Sequence, residues 1–351
     1  MYSAELTRTT ILPTISRSLI SPSTPNKIRM KLLFELSGEN ETLPFAEIEC
    51  VATLLDRRLQ VAVAECPDPA AAHRLAMTHV VLEYLGECEP VLGTFKNLLK
   101  ELAIETTPPF AGRAKKVHGG CNERNSASQR EFERLIGTMI TGPVSLLHPV
   151  EEYRAILSED RCYFGKVLFR IDRGAYDIRN PGKREFFHPG VMMPRMARTL
   201  VNLSCATAGD LVLDPFCGTG GILIEADLLA THAIGCDFDP EMIDGSHTNA
   251  PKSTLMLSDT TRLPFRNQSI DAIVTDFPYG QSVCIKKTDT MDQLYTDALG
   301  EISRVLKPGH RAVVVTHKDI SQIAARYLTV LQCHKQRVHK SLTRRILVLR
   351  K

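Results

Sequence analysis

The chain has 351 residues, enough for two or three domains, and its 43% hydrophobic content can fill packed cores. A net charge of +3 is too small to imply a nucleic-acid partner by itself, and no apolar run approaches the roughly 20 residues of a membrane helix. The ten cysteines are scattered, with no C-x-x-C pair and no zinc-spaced cluster with histidine, so no metal site and no disulfide framework are expected. They fit reduced thiols in a cytoplasmic protein.

Residues 1–29 are rich in Ser, Thr and Pro and carry Arg8, Arg17, Lys27 and Arg29 against Glu5 alone. They read as a disordered leader or a mis-assigned start, with Met30 as the first structured residue. From there "MKLLFELSG" is a strand and turn, and "LPFAEIECVATLL" is a helix with Phe45, Ile48, Val51 and Leu55 on one face. "LQVAVAEC" is a second strand, and "DPAAAHRLAMTHVVLEYL" a second helix capped by Asp68. Residues 30–95 thus form a small α/β module.

After Pro108-Pro109, "FAGRAKKVHG" is a basic strand, and "SASQREFERLIGTMI" a helix opened by Ser126 or Ser128 with Glu131 completing a capping box. "EEYRAILS" and "CYFGKVLFRIDRGAYDIRN" complete a second module, at 96–178. Residues 179–190, dense in Pro, Gly and charge, are a linker. From "VMMPRMARTLVNLS" onward, across 191–351, apolar runs alternate with helical segments, the pattern of a parallel doubly wound sheet.

Four consecutive strands of this last region end in Asp: Asp214, Asp237, Asp259 and Asp276. Ligands of open α/β sheets gather at the carboxyl ends of the strands. One such Asp is accounted for as a helix cap; four in order, the first beside Gly218, Gly220 and Gly221, are not. "LDPFCGTGGILIEA" lacks the last glycine of the dinucleotide fingerprint and the lysine of a Walker loop, so a cofactor without phosphates remains. Asp237, with Asp239 as a substitute, stands at the distance of a ribose-binding acid. Asp259 is placed for an exocyclic amine. In "IDAIVTDFPYGQS", Asp276 and the Phe277 carbonyl are two acceptors for the two hydrogens of an amino group. Pro278 holds Phe277 extended, and Tyr279 presents a ring to a planar base.

These motifs resemble those of Rossmann-like S-adenosylmethionine methyltransferases of the amino-group type, with "DPFCGTGG" and "TDFPYG" as the signature pair. From Met30, with "FELSGENETLPFAEIE" and "FFHPGVMMPRMARTLVNL", the chain resembles the archaeal THUMP-domain tRNA guanosine N2-methyltransferases that act on position ten. The resemblance implies an α/β protein whose C-terminal methyltransferase domain follows a ferredoxin-like module and an RNA-binding THUMP module. It implies that Asp214, Gly218 and Gly220 contact the methionine part of S-adenosylmethionine, Asp237 its ribose and Asp259 its adenine. Asp276, Phe277, Pro278 and Tyr279 would hold guanine, with His188 and Pro189 near the pocket. It further implies tRNA as partner and, as in relatives, a small zinc-binding activator subunit, with no DNA or membrane partner. Phe277 departs from the Pro-Pro common in such loops.

Tyr279 stands where pyrimidine-carbon methyltransferases place a cysteine, and Cys217 and Cys284 read as packing thiols. The alternatives are a ribosomal RNA guanine, DNA adenine or cytosine, or protein glutamine methyltransferase, or an inactive THUMP RNA-binding protein. Arg113, Lys115, Lys116 and the basic C-terminal hairpin from Lys335 to Lys351 are either RNA contacts or solvated faces.

Overall fold

The computed structural model describes residues 29–117, 127–279, 290–340 and 342–351. The leader, apart from Arg29, lies outside the described residues, as do Ser126 and Cys284.

The first half is built on strands β1 (Met30–Leu36), β2 (Thr53–Arg58), β3 (Val61–Cys66), β4 (Thr78–Cys88), β5 (Phe110–Lys116), β6 (Glu151–Ser158) and β7 (Arg161–Arg170). They form one seven-stranded sheet in the order β2-β3-β1-β4-β7-β6-β5. Its centre is the antiparallel β4–β7 pair, running from Val80↔Arg170 to Cys88↔Cys162, so the residues of both N-terminal modules share one sheet.

Two segments differ from their sequence periodicity. The first helix spans only Leu43–Ile48; Leu55 sits in β2, whose burial alternates residue by residue. In the second, Asp68 accepts from the Ala70 amide as expected, but it caps a short 3₁₀ segment, Pro69–Arg74. The β-branched run "THVV" then enters β4, where it pairs with both β1 and β7. The helix Gln129–Met139 opens on the expected capping box of Ser128 and Glu131.

The second half contains β8 (Leu211–Asp214), β9 (His232–Asp237), β10 (Thr254–Leu257), β11 (Ile270–Asp276), β12 (Leu306–Thr316), β13 (Thr329–His339) and β14 (Leu342–Arg350). The sheet order is β10-β9-β8-β11-β12-β14-β13. β8 to β12 are parallel; β14 returns antiparallel to β12, and β13 antiparallel to β14. The order reverses between β8 and β11, so Asp214 and Asp276 flank the crevice of the switch point.

Residues 179–190 are bound to the second half rather than spanning free space. Arg179 Nε and Arg198 Nη2 reach the fully buried Glu225 at 2.7 and 2.9 Å. The Phe186 carbonyl accepts from Asn249 Nδ2 at 2.8 Å. Gly245 is required there, because a Cβ on it would lie 2.0 Å from Phe186 Cδ1. The halves also share a polar joint: buried Glu47 accepts from the Ala76 and Met77 amides at 2.8 Å and from Asn202 Nδ2 at 2.6 Å. Leu43, Ala46 and Met77 pack into the same apolar cluster as Met196, Leu200 and Val201. No described helix is long and apolar enough to cross a membrane.

Candidate functional site

A cleft of about 1610 Å³ opens at the carboxyl ends of β8 to β11, larger than the roughly 300–1,000 Å³ of ordinary small-molecule sites. Asp214, Gly218, Asp237, Asp239, Asp259, Asp276, Phe277, Pro278 and Tyr279 all line it, with His188 and Pro189 on its rim. Residues distant in sequence are gathered there because each parallel strand ends on the same edge. Gly220 lies just behind, as the N-cap of the helix Gly221–Asp227, with a left-handed φ of +78°.

Asp214 is 1% exposed, and its Oδ1 accepts from Thr275 Oγ1 (2.8 Å) and the Phe216 amide (3.2 Å). Burial, with a smaller contribution from Asp237 and Asp276, pushes its carboxyl up to about 7. Asp237 accepts from the Gly218 amide on Oδ2 (2.9 Å) and the Asp239 amide on Oδ1 (3.1 Å). Burial raises its carboxyl, and those backbone donors offset part of the rise. The carboxylate therefore shapes the glycine turn while facing the cleft.

Asp239 and Asp259 are helix caps as well as cleft residues. Asp239 accepts from the Glu241 amide at the start of Pro240–Asn249. Asp259 accepts from the Thr261 amide and hydroxyl at the start of Thr260–Arg262.

The residues fit an adenosine-type cofactor on two local observations. Gly218 has a φ of +49° and lines the cleft, and a Cβ there would meet nothing within 4 Å, so the turn leaves open space for a ligand beside it. Beside it, Thr219 Oγ1 is buried with no protein partner among the described residues.

The Phe277 departure has a packing explanation. Its ring is 1% exposed and stacks on Tyr295 at 5.3 Å, with Phe216 edge-on at 5.2 Å. Its amide donates to the Val315 carbonyl at 2.9 Å. The aromatic anchor replaces the constraint of a first proline. Tyr295, whose hydroxyl also donates to the Pro278 carbonyl at 3.3 Å, is a supporting residue that no motif announced.

Tyr279 donates its hydroxyl to Asp276 Oδ1 at 2.7 Å and receives Arg344 Nε at 3.0 Å. Burial raises the Asp276 carboxyl, and Arg344 and the Tyr279 hydroxyl act in the opposite direction. Arg344 was assigned with the basic hairpin; it is 6% exposed and turned into the site.

Cys217 is buried, its thiol pushed up by burial, and its Sγ packs against Gly235, as a structural thiol. Lys115, read from sequence as either an RNA contact or a solvated face, lies 2.7 Å from the buried Glu35, which also pairs with Arg154. Among the described residues no group of three or more His, Cys, Asp or Glu could hold a metal ion.

The family profile described as "RMKL-like, methyltransferase domain" matches residues 181–346. The tRNA (guanine(10)-N2)-dimethyltransferase of Methanothermobacter thermautotrophicus is 31% identical over 344 residues, covering 91% of this chain and 99% of that protein. The protein of the same name from Pyrococcus abyssi is 33% identical over 330 residues, covering 88% and 96%. The crystal structure of TrmN from Thermus thermophilus superposes with a TM-score of 0.50 at 20% identity, covering 92% of this chain and 99% of that one, a likeness of fold.

Proposed function

The chain belongs to the family of tRNA (guanine(10)-N2)-dimethyltransferases, and from that premise we propose which of its residues perform the reaction. It is an S-adenosylmethionine-dependent tRNA guanine-N2 methyltransferase. The observation that carries the residue assignment is the pair of carbonyl-type acceptors at the end of β11, Asp276 and Phe277, in the same cleft as the glycine turn.

Bound at that turn, S-adenosylmethionine supplies an electrophilic sulfonium methyl group. Gly218 and Gly220 let the turn approach its methionine part with no side chain between them, Asp214 fixes the turn, Asp237 takes the ribose hydroxyls and Asp259 the adenine amine. The guanine amino nitrogen is conjugated with its ring and is a weak nucleophile. Asp276 and the Phe277 carbonyl hold its two N–H bonds out of the ring plane, which localises the lone pair, and Asp276 accepts the proton released. Pro278 keeps the carbonyl directed outward, and the Tyr279 ring carries the base. Most of the acceleration is positioning. The guanine leaves its stack to reach the cleft, and the first-half sheet, read as a ferredoxin-like module at 30–95 and a THUMP module at 96–178, holds the tRNA. The polar joint at Glu47 and the shared core fix that sheet relative to the cleft.

Replacing Asp276 with Ala tests the assignment. Methyl transfer to tRNA should be abolished while calorimetric titration finds cofactor affinity nearly unchanged. Turnover within a few-fold of wild type would remove Asp276 from the reaction. The same assay, run with and without a zinc-binding partner subunit, shows whether such an activator raises turnover.

A further inference from the structure

The hairpin that ends the chain does more than close the sheet. β14 runs antiparallel to β12, with Thr316 opposite Arg345, so the start of β14 lies at the carboxyl end of β12. The same end of β12 adjoins Asp276, which pairs with Val315. Side chains alternate along β14. Arg345 reaches Asp319 on the surface at 3.0 Å, whereas Arg344, 6% exposed, turns into the cleft wall.

There Arg344 meets two of the residues assigned to guanine. Nε lies 3.0 Å from Tyr279 Oη, Nη2 lies 3.7 Å from Asp276 Oδ2, and Tyr279 Oη lies 2.7 Å from Asp276 Oδ1. The three groups close a ring of polar contacts. Among the described residues, Asp276 has an ion-pair partner while Asp214, Asp237 and Asp259 have none. A planar guanidinium is suited to this place, because its donors are fixed relative to each other and it stays charged when buried.

We propose that Arg344 is the positioning residue of the methylation, keeping Asp276 a charged acceptor and fixing the angle between its carboxylate and the Tyr279 ring. The inference rests on the guanine-pocket reading of Asp276. Among the described residues, the other titratable groups facing this cluster are Asp214, at the end of β8, and His317, beyond β12, whose ring meets the edge of Tyr279 at 5.2 Å. Burial raises the Asp276 carboxyl and lowers the His317 imidazole, so Arg344 is the cation among the described residues that opposes the effect of burial on the acceptor.

The experiment is the pH profile of kcat/KM for tRNA methylation by wild type, Arg344→Met, Arg344→Lys and Arg345→Met, with cofactor affinity measured beside it. Arg344→Met should lower kcat by about 10- to 100-fold, the range for a lost hydrogen bond to a charged group. It should move the acid limb to higher pH and leave cofactor affinity within two-fold. Arg344→Lys should return the acid limb toward wild type while keeping part of the kcat loss, because lysine restores charge without the fork. Arg345→Met should leave the profile unchanged. Because Arg344 is buried, Arg344→Gln, which keeps donors for Tyr279, replaces Arg344→Met should the latter not fold, with the same expected profile. An unmoved acid limb, or a loss confined to tRNA affinity and its salt dependence, would make Arg344 a phosphate contact or a packing residue and overturn the proposal. An Asp276→Ala control, which removes the acceptor altogether, separates the two ideas: if it is inactive while the Arg344 variants keep the wild-type profile, the positioning role fails and the guanine pocket stands; if it is active, the pocket reading fails first.

Discussion

Asp214→Asn should make the cofactor-free protein more stable in alkali than in acid, relative to wild type. The carboxyl is 1% exposed and pushed from its ordinary 3.8 to about 7, mainly by burial, with Asp237 and Asp276 adding repulsion. A raised carboxyl favours folding at low pH; that advantage is lost as pH climbs from 3.8 through about 7. Each pH unit in that window corresponds to about 1.36 kcal/mol, so the full cost of ionising Asp214 in the fold is about 4 kcal/mol. Between pH 4.5 and 8.5, and with water in the cleft relieving part of the cost, the gain from the neutral amide should rise by about 2–3 kcal/mol. For a chain of this size that is about 3–4 °C in melting temperature. The amide oxygen can still accept from Thr275 Oγ1 and the Phe216 amide, so the perturbation is chiefly the charge. Melting both proteins without cofactor across that range tests it. A difference between them that stays constant with pH would refute the claim that burial raises the Asp214 carboxyl.

Asp237→Ala should weaken cofactor binding by about ten- to a hundred-fold, the range for a lost charge-assisted hydrogen bond; an unchanged dissociation constant in calorimetry would pass the role to Asp239. Lys115→Ala removes one of two cations on the buried Glu35, whose carboxyl Arg154 and Lys115 hold below its ordinary range against the effect of burial. Discounted for the partial exposure of Lys115, the loss should be about 1–2 kcal/mol in denaturant unfolding, with tRNA affinity nearly kept; a shallower salt dependence of tRNA binding with unchanged stability would reinstate Lys115 as a phosphate contact. Removing the 3′ single strand of the tRNA should slow methylation at subsaturating RNA if the first-half sheet measures from the acceptor end to the cleft, and equal initial rates would dismiss that ruler.

The cleft was legible because its residues lie within a few positions of strand ends, and buried parallel strands announce themselves as apolar runs ending in Asp214, Asp237 and Asp276. β2 and β4 were not. Leu55 falls in helical register with Ile48 and Val51, while the strand is specified by partners that local sequence does not contain: β3 for β2, and β1 and β7 for β4. Arg344 was illegible for the same reason at longer range. It lies 65 residues from Tyr279 in sequence, and only the antiparallel return of β14 brings it to the site, so by composition it is one more base in a basic hairpin. Lys115 reads as an RNA contact or a solvated face and Arg179 as part of a charged linker, because their buried partners, Glu35 and Glu225, stand in apolar stretches where a lone acid gives no sign of its counter-ion. Tyr295 carries no motif, yet it supports both Phe277 and Pro278.

The central claim is that the cleft methylates the N2 amine of one tRNA guanosine. Nucleoside mass spectrometry tests it on tRNA incubated with the protein and S-adenosylmethionine, beside a tRNA carrying adenosine at position ten. The account predicts N2-methylguanosine and N2,N2-dimethylguanosine from the first tRNA and neither from the second. A methyl group on another base or ring atom, or N2-methylguanosine that survives the substitution, would contradict it.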